Sequence, residues 1–236
     1  MSIQQMFLGA GGGGLNPDAN GNYLMLAMPL NSDYGAADVS NEINSGVTAS
    51  TITNSGVDFV NTQFNFYDSS GDFTGASDDA LYTGDDDTKF KMEEGDFTVE
   101  CWVYSTSTSG VQNICQIIGN SSTKYYGIYW QGSNLNYYVY GTGGPGDMAA
   151  GNIVMGRNTW YHLALVRNGS TLKGYTDGVE VASDSITSDI DETGYQAYVG
   201  RHQPATNGFN GYIQDFRIYK GVAKYTTSFT PPGSIA

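Results

Sequence analysis

Glu94, Asp96 and Glu100 share one parity in Glu94-Gly-Asp-Phe-Thr-Val-Glu100, so a strand through them would turn three carboxyls to one face. Retaining glycoside hydrolysis uses such a pair, one carboxylate as nucleophile and one carboxyl as proton donor, held about 5–5.5 Å apart. Glu94-Gly95, however, falls where a turn should precede the strand. Histidine offers less. Only His162 and His202 occur, too little material for a zinc site or a histidine-based triad.

A second group of residues suits binding instead. Tyr125, Tyr126, Tyr129, Trp130, Tyr137, Tyr138 and Tyr140 crowd into sixteen positions. Facing outward, such rings stack on sugars or anchor a protein interface; facing inward, they fill a core. Alternation separates Tyr125 and Tyr129 from Tyr126, Ile128 and Trp130, and leaves open which parity is exposed. The candidate surface aromatics are Tyr125, Tyr129, Trp130, Tyr138 and Tyr140.

The elements that must carry these residues are strands. Phe97–Tyr104, Ile114–Gly119, Tyr125–Gln131, Leu135–Tyr140, Trp160–Arg167, Thr171–Thr176, Val179–Ser183, Tyr195–Gly200 and Gly211–Tyr219 all read as strands. Tyr23–Leu30 opens the set, with Pro29 confining it to an edge or an end. Asp177-Gly178 is a strong two-residue hairpin signal, and Gln131–Asn134 forms another turn. In Phe97–Val103, Phe97, Val99, Cys101 and Val103 share a face, making Cys101 a small buried hydrophobe. In Trp160–Arg167 both rows are largely apolar, as in a strand covered on both sides, so His162 reads as a structural histidine. No long amphipathic helix is legible. The expectation is an all-β antiparallel sandwich.

Composition agrees. The chain has 236 residues, 39% of them hydrophobic, enough for one sizeable core. Its 32 glycines suit tight turns and its 18 tyrosines suit half-buried strands. A formal net charge of −14, from 24 acidic and 10 basic residues, argues against nucleic acid and anionic membranes as partners. An acidic surface attracts calcium or simply maintains solubility. Asp85-Asp-Asp87 lacks the spacing of a calcium loop and reads as a solvated turn. Cys101 and Cys115 make no disulfide framework, and no bridge between them is expected. Neither an export signal nor a stretch of membrane-spanning length is seen.

Gly11–Gly14 separates residues 1–14, an expected arm, from a single domain over 15–236. Ile3, Met6, Phe7 and Leu8 are the arm's candidate docking residues.

Three stretches resemble the laminin-G-like (concanavalin A-like lectin/glucanase) family. They are Gly95-Asp-Phe-Thr-Val-Glu-Cys-Trp-Val103, Trp160-Tyr-His-Leu-Ala-Leu-Val-Arg167 with Asp177-Gly178, and Phe209–Tyr225 running on to Phe229-Thr-Pro-Pro232. The resemblance spans roughly residues 23–232 and implies a jelly-roll β-sandwich. Beside the family's glucan-cleaving members, Gly95 stands where an apolar residue is usual between the first two acids. The resemblance therefore implies a non-catalytic domain, with β-glucan hydrolysis as the least favoured reading. It also implies a structural calcium with Asp215 as its side-chain ligand; pairing of Asp215 with Arg217 or Arg201 is the alternative.

The ending Gly211–Thr226 into Phe229–Pro232 is similar to versions of the domain in structural proteins of tailed bacteriophages, as is the opening Met1–Gly12. That implies a virion component, a capsid decoration or a tail or fibre subunit. It would be made in the host cytoplasm, associate with other virion proteins and form homo-oligomers. The alternative is a carbohydrate-binding adhesin for host surface glycans.

Overall fold

The computed structural model describes residues 18–233 apart from 77, 85–86, 108, 133, 142–145, 155, 188, 192 and 204–205. The expected arm, with Ile3, Met6, Phe7 and Leu8, lies outside them, as do the first two acids of Asp85–Asp87.

Two antiparallel sheets face each other. Alternation along each strand sends one row of side chains into the space between them. The first sheet runs β13 (Val179–Ser185), β12 (Thr171–Thr176), β11 (Trp160–Asn168), β6 (Phe97–Ser105), β15 (Asn210–Lys220), β4 (Ser70–Thr74) and β3 (Asp58–Val60), with β1 (Leu24–Met28) also paired to β15. The second runs β10 (Gly146–Val154), β9 (Asn134–Tyr140), β8 (Tyr125–Gln131), β7 (Val111–Ile118), β14 (Gln196–Val199), β5 (Ala80–Thr83) and β2 (Ile52–Ser55). Two four-residue helices, α1 (Ser40–Ile43) and α2 (Asp87–Phe90), interrupt the loops. The expected all-β sandwich is the fold.

Phe97, Val99, Cys101 and Val103 of β6 point into the core, as their parity requires, and meet Ile114, Ile117, Tyr126, Ile128 and Trp130 of the second sheet. Cys101 and Cys115 are both buried and unbridged. β11 places Leu163 and Leu165 in this core, whereas Ala164 and Val166 join a separate cluster on the outer side of their sheet. There Ala223, Tyr225 and Phe229 pack over Ala164, Val166 and Tyr175. The segment after β15 thus forms a strap across the sheet, which is why both faces of β11 are apolar.

The strap is held by backbone as well as rings. Phe229 N donates to Gly178 O at 3.0 Å, and Trp102 Nε1 donates to Pro232 O at 3.0 Å. The Asp177-Gly178 hairpin has φ of 48° and 76°, both positive as in a type I′ turn.

β15 divides one edge between two partners. Residues 210–213 pair with β4 and residues 216–219 with β1. The change falls at a bulge beside β6, where Asp215 has φ 56° and its N–H donates to Pro29 O at 3.0 Å.

Candidate functional site

The hairpin β8–β9 resolves the aromatic parity. Tyr126, Ile128 and Trp130 turn inward from β8, and Leu135, Tyr137 and Val139 from β9. Trp130, named above among the surface aromatics, is instead fully buried and donates its Nε1 to Gly132 O at 2.7 Å. Its parity places the large indole where the sandwich needs core volume. Tyr125, Tyr129, Tyr138 and Tyr140 lie on the opposite, outer face, where Tyr138, also named above among the surface aromatics, is itself buried under its neighbours and the other three are half-buried.

Register brings these four together. Tyr125 opposes Tyr140, and Gly127 opposes Tyr138. The rings of Tyr125 and Tyr140 stack with centroids 4.7 Å apart and planes at 25°. Tyr129 lies 5.5 Å from Tyr138. Gly127 is required here: a Cβ would strike the Cys115 carbonyl and the Tyr138 hydroxyl, which donates to that carbonyl at 3.2 Å. With no side chain at Gly127, the Tyr138 ring lies down across β8 instead of standing off the sheet.

The rings wall a groove of about 270 Å³, completed by Val111, Asn113, Gln131, His202 and Asn207. His202 meets Tyr125 edge-on at 6.5 Å. Asn113 Oδ1 is buried without a hydrogen-bond partner within the protein. Flat apolar rings beside amides and an imidazole suit a ligand with both apolar faces and hydroxyls. No carboxylate among the described residues lines this groove. Asn113, Asn207 and His202 were not recognised as groove members in the sequence, since they come from β7 and the segment after β14, far apart in the chain.

The acids of Glu94–Glu100 are not assembled into a pair. β6 begins at Phe97, so Glu94 and Asp96 lie before the strand. Glu94 is exposed, and Asp96 Oδ1 accepts from Gly169 N at 2.6 Å. Glu100 is buried under the strap, where Lys224 Nζ reaches Oε1 and Tyr225 OH reaches Oε2, each at 2.7 Å. His162 Nε2 stands 3.5 Å from Oε2, and its ring sits among those of Trp102, Tyr225 and Phe229. His162 is enclosed within the packing, away from the groove.

Asp215 belongs to the same buried network. Arg217 Nε donates to Oδ1 at 2.8 Å and Nη2 to Oδ2 at 2.6 Å, a bidentate pair that occupies both carboxylate oxygens. Arg217 Nη1 also lies 3.6 Å from Asp18. A divalent cation does not fit this donor set, because the guanidinium already takes the face that a metal would use and would repel it. The described residues contain no cluster of three or more metal-ligating side chains. Among them, no helix is long and apolar enough to cross a membrane.

A family model described as the concanavalin A-like lectin/glucanases superfamily matches residues 73–224. No curated protein matches in sequence. Among solved structures, the binding domain of Paraclostridial Mosquitocidal Protein 1 aligns with a TM-score of 0.65 at 16% identity, over 86% of this chain and 50% of that one. Domain 4 of AbnA, a GH43 extracellular arabinanase from Geobacillus stearothermophilus in complex with arabinotriose, gives 0.63 at 16%, over 84% and 92%. The receptor binding domain of botulinum neurotoxin D gives 0.64 at 12%, over 87% and 51%. The chain spans about half the length of the two toxin domains. These likenesses are of fold.

Proposed function

The chain belongs to the concanavalin A-like lectin/glucanase superfamily, and on that premise we propose that it is a non-catalytic carbohydrate-recognition domain that binds glycans in the β7–β9 groove. The carrying observation is the stacked Tyr125–Tyr140 pair beside Asn113 and His202. Tyrosine rings cover the apolar face of a pyranose or furanose, while amide and imidazole groups meet its hydroxyls. The lack of a carboxylate along the groove in the described residues leaves a two-carboxylate hydrolysis without its acid and nucleophile there. A solved neighbour of similar length, the arabinanase domain, is in complex with an oligosaccharide.

The test is a glycan array probed with the wild type and Tyr125→Ala, with and without added calcium. Binding that the substitution removes supports the reading. No binding to any glycan in either condition would sink it.

We propose further that this domain is displayed on a tailed-bacteriophage virion, on capsid or tail, with host surface glycans as its ligands. The support is the resemblance of Phe209–Pro232 and Met1–Gly12 to virion structural proteins. Residues 1–14 would then join copies to other virion proteins or to one another through Ile3, Met6, Phe7 and Leu8. Unchanged incorporation into particles after deletion of residues 1–14 would rule out that role for the arm.

A further inference from the structure

The groove is one end of a longer row across the same sheet face. Tyr82 of β5 opposes Tyr198 of β14, and Tyr198 opposes Gln116 of β7. Gln116 opposes Gly127 of β8, and Gly127 opposes Tyr138 of β9. Neighbouring strands lie about 4.8 Å apart, so the Tyr198 ring stands some three strand spacings from Tyr138. A linear oligosaccharide lying across the strands would span that distance.

At the far end of the row the rings hold a cation. Tyr82 and Tyr198 stack with centroids 5.4 Å apart and planes at 22°. The Arg201 guanidinium carbon lies 5.3 Å from the Tyr82 centroid and 5.6 Å from that of Tyr198. Arg201 is partly exposed, its Nε is buried without a hydrogen-bond partner, and no acidic residue among those described pairs with it. Lys89, Lys91, Lys124, Lys173, Arg217 and Lys224 each have a carboxylate within salt-bridge distance. In a chain with 24 acids for 10 bases, Arg201 is held by rings and has no carboxylate at salt-bridge distance among the described residues. Aromatic faces attract the guanidinium without neutralising it, so its full charge and its planar fork are kept for another partner.

We propose that Arg201, seated on Tyr82 and Tyr198, is a second subsite that takes the carboxylate of an acidic sugar whose neighbouring ring occupies the groove. The proposal rests on the glycan reading and adds the class of ligand. His202, the next residue, lines the groove, so the chain itself joins the two subsites. Gln116, buried between them, has its Nε2 unpartnered and its Oε1 fixed by Gln203 N at 2.8 Å. A planar carboxylate matches the guanidinium fork. Among anions, a single negative charge is opposed less by the net charge of −14 than a phosphate dianion would be.

The test uses the intact protein on an array of oligosaccharides printed in matched pairs, each as the free acid and as its methyl ester. Wild type should bind the acid of at least one pair about tenfold more tightly than the ester, a preference that shrinks with added salt. Arg201→Gln should erase the preference by weakening acid binding to the level of the ester. Arg201→Lys, which keeps the charge but loses the fork, should retain part of it. Tyr125→Ala should weaken acid and ester alike. Binding without acid preference, or a preference indifferent to Arg201→Gln in a variant that melts like wild type, overturns the subsite and leaves the groove reading standing. No binding to either form of any pair overturns both.

Discussion

Lys224 in the strap and Glu100 in the middle of β6 form an ion pair of 2.7 Å on the outer side of the first sheet, with both side chains largely removed from water. Burial alone would raise the Glu100 pKa. Lys224, His162 and Arg217 outweigh it and hold the carboxyl well below its usual range. One of the three acids whose spacing suggested catalysis is therefore a fastening for the segment that closes the sheet.

Lys224→Met should destabilise the protein by about 3 kcal/mol, because it strands a buried carboxylate with fewer partners. Urea unfolding at neutral pH measures this. Loss of less than about 1 kcal/mol would mean that Tyr225 and Arg217 suffice.

The same pair sets an acid limit. A carboxyl depressed by folding contributes stability that is present above its unfolded value, 4.5, and is lost as pH falls through the lower folded value. Wild type should therefore lose stability progressively below about pH 4.5. Lys224→Met, whose Glu100 is less depressed, should show a smaller loss from this group over that interval. Melting temperature against pH from 7 down to about 3 checks the sign.

Gly178→Ala should loosen the strap. Its φ of 76° is costly for any residue with a Cβ, and that Cβ would overlap the Phe229 carbonyl. A loss of more than about 1 kcal/mol is expected. Limited proteolysis should then cut between Tyr219 and Phe229 before the rest of the domain. Wild-type resistance in the variant would contradict the strap's dependence on this turn.

Burial pushes the Cys115 thiol up to about 12 and raises that of Cys101 well above its ordinary value. Neither thiolate should form at pH 8 in the folded protein, and a disulfide-exchange reagent should find no reactive thiol. Denaturant should expose both. Rapid labelling of the native protein would place a cysteine outside the core.

In the groove, Tyr125→Ala and Tyr140→Ala should each weaken glycan binding about tenfold, since either change dismantles the stacked pair. Their double variant should lose less than the sum of the two, because one stack is being removed twice. Full additivity in titration calorimetry would show that the rings act separately.

Much of the fold could be read along the chain. Alternation in Phe97–Val103 predicted which side chains face the core, the two apolar rows of Trp160–Arg167 predicted a strand covered on both sides, and Asp177-Gly178 predicted its turn as a dipeptide that accepts two positive φ values. Other strands carried no such pattern. Ser70–Thr74 of β4 sends only Phe73 into the main core, and Gly146–Val154 of β10 shows little alternation. Their assignment comes from pairing with neighbours.

The site was legible as residue types and only partly as a place. The sequence alone determined that Tyr125 and Tyr129 share a face opposite to Trp130, because successive side chains on a strand point in opposite directions. Which face is covered depends on the other sheet, and only the tertiary structure sends Trp130 inward and Tyr125 out. The same holds for Glu100, whose strand position was clear while its burial came from Lys224 and Tyr225, more than a hundred residues later. Asp215 likewise finds Arg217 because a bulge turns both side chains into one buried cluster. Local periodicity is a property of the backbone. Exposure, pairing of charges and the meeting of Arg201 with Tyr82 are properties of which strands lie side by side.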